Sequence, residues 1–412
     1  MEQFINANQE VNEVNIPPSK SYAQRAILAA ALSKHTSIIQ NTGSSADVLA
    51  MIEVAKKLGA QVDVKDTDVH ITGFVNPIER SLNLGESGLG MRLVTAIVAV
   101  LDGDFKLTGE GSLKTRPMDE FTTILPQLGV TYEQNKTEGY FQVLGNAHPA
   151  KIKMDGGLSS QYLSGLLMAL PLLKGDSDIF VHELKSKPYI NITLDVMQAF
   201  NVKVSHQKFS HFNIGGNQPY KREQKFTIEG DYSGASIWMV HGALSNGTII
   251  KGLNQHSVQG DKQMLDALTE AGVSFEWNTQ GLQVFKSEIK PFTFNANECP
   301  DLFPALVVLA AAANGMSEIT GAQRLIHKES NRAIVLQNEF KKLGLKIELE
   351  GDVMKIHGTG KLADGTIHSN NDHRIAMAGA AAACISPSGI TIENSESVSK
   401  SYPEFWQSFD QV

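Results

Sequence analysis

Apolar residues gather along this chain into six Ala-rich runs: "SYAQRAILAAAL", "GMRLVTAIVAVL", "SSQYLSGLLMALPLL", "SGASIWMVHGAL", "DLFPALVVLAAAANG" and "DHRIAMAGAAAACIS". Each predicts a helix that is apolar nearly all round, the pattern of a helix buried on every side. A short stretch such as "TSIIQ", "DFKLT", "SDIFV", "GTIIK" or "SEIT" follows and predicts a strand. In most copies there come next a loop, an amphipathic helix ending near "LG", "FN" or "AG", and a further strand such as "QVDVK", "VTYEQ" or "LKIELE". With Arg25, Arg92, Gln161, Ser233, Asp301 and His373 as anchors, the runs recur at about 70 residues, longer than the usual solenoid repeats.

Six α/β units in a chain of 412 residues predict two domains of three, because one hydrophobic core does not grow to that length. Helices apolar all round belong inside each domain, with the sheets outside. The sixth unit runs out after "SYPEFWQSF" without its final strands, while "EVNEVNIP" precedes the first run; the N-terminal strand is expected to complete the last unit. The chain would then cross between domains near Pro17 and Pro18 and again near Glu229 to Asp231. That gives one domain of residues 18–229 and another of residues 1–17 and 230–412. Two crossings suit hinge closure over a cleft.

Composition narrows the function. Hydrophobic residues make up 42% and charged residues 19%, as in an ordinary globular protein. The net charge of −8 argues against a general nucleic-acid or membrane-surface binder, which needs a dominant basic field. The start "MEQFINANQEVNEV" has neither a basic nor an apolar leader region, and no apolar run approaches the roughly 18 residues of a membrane span, so a cytoplasmic location is expected. Cys299 and Cys384 are the only cysteines, too few for a disulfide framework or a zinc site; Cys384, in "AMAGAAAACIS", reads as a buried structural thiol.

Candidate chemistry sits at the helix starts, where free N–H groups and the positive dipole end favour anions. "PPSKSYAQR" offers Lys20, Ser21 and Arg25; "LSSQY" offers Ser159, Ser160 and Gln161; "CPDLFP" offers Asp301; "NDHR" offers Asp372, His373 and Arg374. Any one Ser or Asp there is equally an ordinary N-cap, and His373 suits packing as well as catalysis. "LGESGLGMR" permits a phosphate cradle but also serves a plain turn. In "LIHKESNRA", Lys328, Glu329 and Arg332 crowd together; on a helix Lys328 and Arg332 share a face, and the plain reading is a solvated helix start with an internal ion pair.

Together "PPSKSYAQRAILAAAL", "SGLGMRL", "LKTRPMDEF", "SSQYLSGLLMALPLL", "SKPYINITLDVMQAF", "EGDYSGAS", "KESNR" and "NDHRIAMA" resemble the 5-enolpyruvylshikimate-3-phosphate synthase family of enolpyruvyl transferases, in order and across all six units. The resemblance implies an α/β fold of two domains, an inside-out α/β barrel of six βαβαββ-type repeats with buried helices and outer sheets. It implies transfer of the enolpyruvyl group of phosphoenolpyruvate to the 5-hydroxyl of shikimate 3-phosphate with release of phosphate, on the route to chorismate and the aromatic amino acids. No metal or organic cofactor is implied, and the partners are these two small molecules. A monomer is expected.

Matched motif by motif, the resemblance puts Ser21 and Arg25 at the shikimate carboxylate region and Ser159, Ser160 and Ser186 at its 3-phosphate, with Gln161, Tyr189 and Lys328 completing that pocket. It puts Lys20, Gly88, Arg116, Arg332, Arg374 and Lys400 at phosphoenolpyruvate. Asp301 matches the proton acceptor and Glu329 the proton donor, with Lys20 as the other candidate for donor. Each phosphate monoester carries about −1.5 to −2, so seven cations drawn from both halves of the chain make a local basic field in an acidic protein.

Three positions depart from the family pattern. Glu86-Ser87-Gly88-Leu89 stands where Asn-Ala-Gly-Thr is common, and a carboxylate beside a phosphate is unfavourable unless it turns away or is paired; glyphosate response is left open by it. Asn331 replaces the usual Asp and is expected to cost an ion pair near Arg332. Arg324 stands near a place where some members use Asn, and no role is carried over to it. A UDP-N-acetylglucosamine enolpyruvyl transferase is disfavoured, because the loop "GEGSLKTRP" lacks that enzyme's Cys and Lys20-Ser21 replaces its Lys-Asn. A silent binder of phosphorylated metabolites would not require both Asp301 and Glu329.

Overall fold

The computed structural model describes residues 1–73, 76–135, 137–221 and 225–409; the last residues of the second expected domain lie outside them. The chain divides into a contiguous unit, Pro18–Ile228, and a split unit made of Met1–Pro17 and Glu229–Val412. The boundary falls one residue before the expected end at 229. Local bonding shows why: Ile228 exchanges hydrogen bonds with Gln40 and Asn41, whereas Glu229 accepts from Asn254, Ser257 and Gln259.

In the contiguous unit the helices are α1 (Lys20–Ala31), α2 (Ala46–Lys57), α3 (Gly88–Val100), α4 (Asp119–Gln127), α5 (Ser160–Ala169) and α6 (Lys187–Ala199). In the split unit they are α7 (Tyr232–Leu244), α8 (Met264–Glu270), α9 (Phe303–Ala311), α10 (Arg332–Lys342) and α11 (His373–Ala382). The odd-numbered helices are the Ala-rich runs and are buried along almost their whole length. The even-numbered ones bury one face: in α10 the buried positions are Arg332, Ala333, Leu336, Glu339 and Phe340, a helical stripe. Each unit has its own apolar core.

Sheets repeat one plan. Ser81–Asn83 runs parallel to Phe105–Thr108, which pairs antiparallel with Tyr140–Leu144, which pairs antiparallel with Thr131–Asn135. The same order of one parallel and two antiparallel pairings recurs in the other four-stranded sheets. Strands such as Lys151–Asp155 alternate exposed and buried residues, as a sheet with one face on the core must.

The N-terminus serves two sheets. Glu2–Asn6 pairs antiparallel with Gly389–Glu393 and so fills the sixth, three-stranded sheet. Glu13–Asn15, within the quoted "EVNEVNIP", runs parallel to Thr248–Lys251 in the fourth unit's sheet instead. Cys384 is also placed differently from expectation: it lies in the short turn after α11 and is partly exposed, while Cys299 is the fully buried thiol. No helix among the described residues is long and apolar enough to cross a membrane.

Candidate active site

In the contiguous unit most of the candidate residues stand at the starts of three buried helices, α1, α3 and α5, with Ser186 and Tyr189 at the start of α6 and Arg116 in the turn before α4. Ser19, Ser87 and Ser159 are the N-cap residues of α1, α3 and α5, and the Ser87 and Ser159 hydroxyls accept from Gly90 and Gln161 backbone N–H groups. Uncharged caps satisfy donors without cancelling the positive end of the helix. Lys20, the first residue of α1, pairs with Asp47 at 2.8 Å.

Arg25 is buried one turn further along α1, and among the described residues its hydrogen-bond acceptors are all neutral. Its Nε donates to the Thr193 hydroxyl at 2.8 Å, Nη1 to the Ser21 carbonyl at 2.8 Å, and Nη2 to the Ser164 hydroxyl and the Tyr189 carbonyl, both at 3.3 Å. Burial pushes its pKa down to about 10, partly opposed by Tyr189 and Tyr22. A cation held by neutral acceptors keeps its charge available to an anionic ligand. The same bonds tie Ser21, Ser164, Tyr189 and Thr193 together across α1, α5 and α6.

Ser186 precedes α6 with φ of 57° and ψ of 44°, a left-handed conformation uncommon for serine. Its carbonyl accepts from the Tyr189 N–H at 3.2 Å, which fixes the α6 start carrying Tyr189. Ser160 is buried, while Ser159, Gln161 and Ser21 are partly open.

Gly88 opens α3, and a side chain there would collide with the Arg116 guanidinium and come within 3.1 Å of Arg92 Nη1. The missing Cβ is therefore what lets two arginines approach this helix start. Glu86, two residues before Gly88, is bonded to the loop at Ser112. It accepts from the Ser112 N–H at 3.1 Å and the Ser112 hydroxyl at 3.2 Å, and Gly111, with φ of 48°, leaves the room for it.

In the split unit the candidates form an ionic cluster around Arg332, which is fully buried. Its Nε and Nη2 donate to Asp372 at 2.9 and 3.1 Å, Nη1 to Asp301 at 2.9 Å and Nη2 to Glu329 at 2.6 Å. Lys328 lies 3.0 Å from Asp301, and Arg374 Nε 4.0 Å from it. Lys400 donates to the Asn371 carbonyl at 2.8 Å, beside the Asp372 cap of α11. Asp301, Glu329 and Asp372 thus face Lys328, Arg332 and Arg374.

Burial alone would raise the Asp301 carboxyl, but Lys328, Arg374 and Arg332 overcome it and hold the group well below the usual carboxylate range. Burial likewise lowers Lys328, against Asp301. Asp261 goes the other way: burial and then the Asp301 charge push it up to about 6, with Arg374 opposing.

The cluster corrects three expectations. α10 begins only at Arg332, so Lys328 and Glu329 lie in the bend before it; they meet Arg332 through Asp301 and through a direct pair, not along a helical face. A solvated helix start is excluded for a fully buried arginine. Asn331 costs no ion pair, because it caps α10 through the Ile334 N–H at 3.5 Å, and Asp372, Asp301 and Glu329 supply the charge. Arg324, in the short turn Ala322–Leu325, lies near enough to Lys328 to lower its pKa further. His373 is buried as the first residue of α11.

A family profile described as EPSP synthase (3-phosphoshikimate 1-carboxyvinyltransferase) matches residues 6–409. This chain belongs to the EPSP synthase family. Among relatives named 3-phosphoshikimate 1-carboxyvinyltransferase, that of Clostridium kluyveri is 36% identical over 408 residues, covering 98% of this chain and 96% of the relative. That of Clostridium novyi is 35% identical over 425 residues, covering 100% and 98%. EPSP synthase of Acinetobacter baumannii superposes with a TM-score of 0.83 at 24% identity, covering 100% and 98% of the two chains. The enolpyruvyl transferase NikO of Streptomyces tendae gives 0.79 at 15%, a likeness of mixed α/β fold.

Within this EPSP synthase family member, sequence reasoning gave no specific role to three residues that the geometry brings forward. Asp372 was legible only as one of several caps, yet it holds Arg332 by two bonds. Asp261, in "SVQGDKQML", gives no sign in the sequence that it is buried beside Asp301. Arg92 served only to mark a repeat.

Proposed function

We propose that this chain is a 3-phosphoshikimate 1-carboxyvinyltransferase: it transfers the enolpyruvyl group of phosphoenolpyruvate to the 5-hydroxyl of shikimate 3-phosphate and releases phosphate. The observation that carries the chemistry is that Asp301 and Glu329 sit on one arginine, at 2.9 and 2.6 Å from Arg332. Addition to the enol phosphate requires one group to take the hydroxyl proton and another to give a proton to the methylene carbon; elimination then removes a proton from the resulting methyl group as phosphate leaves. Asp301 takes the first proton and Glu329 gives the second.

Lys20, Gly88, Arg116, Arg332, Arg374 and Lys400 hold phosphoenolpyruvate. Ser21, Arg25, Ser159, Ser160, Gln161, Ser186, Tyr189 and Lys328 hold shikimate 3-phosphate. In this cluster Asp301 is a weak base, because its cations stabilise the carboxylate. Substrate anions that engage those cations restore its basicity, so the base is switched on by binding. The fold is a six-repeat inside-out barrel, three repeats to each unit, and the enzyme works in the cytoplasm as a monomer.

Mixing both substrates with the chain tests the reading: inorganic phosphate and a vinyl ether product seen by proton NMR are expected, and each substrate alone should yield neither. No phosphate from the mixture would overturn it.

A further inference from the structure

We propose that Arg92 is a positioning residue for the substrate contacts of the contiguous unit, setting the placement of Gly88 and Arg116 at phosphoenolpyruvate and the orientation of Gln161 at shikimate 3-phosphate. This rests on the function proposed above.

Arg92 lies on α3 and is 5% exposed. Its Nη1 donates to the Gly88 carbonyl at 2.9 Å and to Gln161 Oε1 at 3.0 Å, and its Nη2 to the Pro117 carbonyl at 2.8 Å. One guanidinium therefore bonds three separate segments: the start of α3, the turn just after Arg116, and the start of α5. The guanidinium also lies over the Tyr162 ring, 5.1 Å from its centroid, and the Tyr162 hydroxyl donates to the same Pro117 carbonyl at 2.7 Å.

Donor chemistry makes this arrangement directional. A guanidinium has no acceptor, so the Gln161 atom facing it must be the amide oxygen. Both Gln161 N–H donors are then turned away from Arg92 and kept for an anion. With its carbonyl held by two donors, Pro117 fixes the backbone next to Arg116, whose guanidinium lies against Gly88.

The frame behind these bonds is stiff. At Gly165 a side chain would sit 2.6 Å from the Arg92 carbonyl, so α3 and α5 touch backbone to backbone. Lysine cannot replace Arg92 here, because one ammonium lacks the planar fork that spans three oxygens.

The test compares the native chain with R92K and Y162F, the second removing only the tyrosine donor to Pro117. Phosphoenolpyruvate is titrated by calorimetry, and KM and kcat are measured with both substrates. R92K is expected to weaken phosphoenolpyruvate binding and raise its KM about tenfold while kcat stays within about threefold, the split of a lost ground-state contact. Y162F should move KM the same way by about threefold. Melting temperatures within a few degrees would show that folding is not the cause. If both variants bind phosphoenolpyruvate as the native chain does, or lose only stability, the proposal is overturned. A native chain that binds but releases no phosphate would overturn the reaction and leave the Arg92 role standing; one that fails to bind would overturn both.

Discussion

Arg332 Nη2 lies 2.6 Å from Glu329 Oε2, three residues earlier in the chain, and the arginine is wholly buried. An ion pair of this kind favours the charged form of a carboxylate. On the proposed mechanism, a substrate carboxylate or phosphate that competes for Arg332 would release Glu329 to act as the acid. Glu329→Gln should lower kcat by about 100-fold or more while the shikimate 3-phosphate Kd stays within a few fold, as steady-state kinetics and calorimetry would show. Undiminished turnover would point to Lys20 as the donor.

Gly88→Ala should act through Arg116. The added methyl meets the guanidinium, the far end of a flexible side chain, which swings aside without disturbing α3. The KM for phosphoenolpyruvate should rise about tenfold and the melting temperature change by less than about 3 °C.

Asp261 gives a pH-dependent stability. Its pKa of about 6 in the folded chain exceeds the ordinary 3.8, because burial and the Asp301 charge disfavour its ionised form. Ionisation therefore works against folding above about pH 6 and has no effect below about pH 4. Asp261→Asn should raise the melting temperature at pH 7.5 and leave it unchanged at pH 3.5. An equal gain at both would assign the effect to packing.

His241 on α7 behaves oppositely. Burial lowers its pKa from 6.5 to about 4, only partly opposed by its bond to the Gln9 carbonyl. It is packed against Trp238 and Phe409. Its neutral form stabilises the fold fully above about pH 6.5, and that contribution is lost as pH falls towards 4, by about 3 kcal/mol in all. Urea unfolding between pH 7 and 4 should show this slope, and His241→Asn should flatten it.

The Ala-rich helices were legible because burial on all sides leaves an unbroken apolar run, and the helix starts that carry the candidate residues because Ser, Lys and Arg cluster there. Pairing of strands was less so. Glu2–Asn6 finds its partner almost at the other end of the chain and Glu13–Asn15 finds a different one, and a local alternation pattern does not encode either choice. Arg92 escaped notice because two of its partners are backbone carbonyls, which no side-chain motif reveals. Lys328 was misplaced because helical spacing was extended past Asn331, the residue whose side chain caps the helix.

The Pro17 carbonyl accepts from the Asp231 N–H at 2.9 Å, and Ile16 N–H donates to Lys251 at 3.1 Å, so the split unit is stitched shut at the point where residues 18–228 leave it. Those residues behave as a cassette grafted into a host whose cut ends already touch. Excising them and bridging Pro17 to Glu229 with a short glycine linker should leave a folded remnant, since the host keeps its own apolar core.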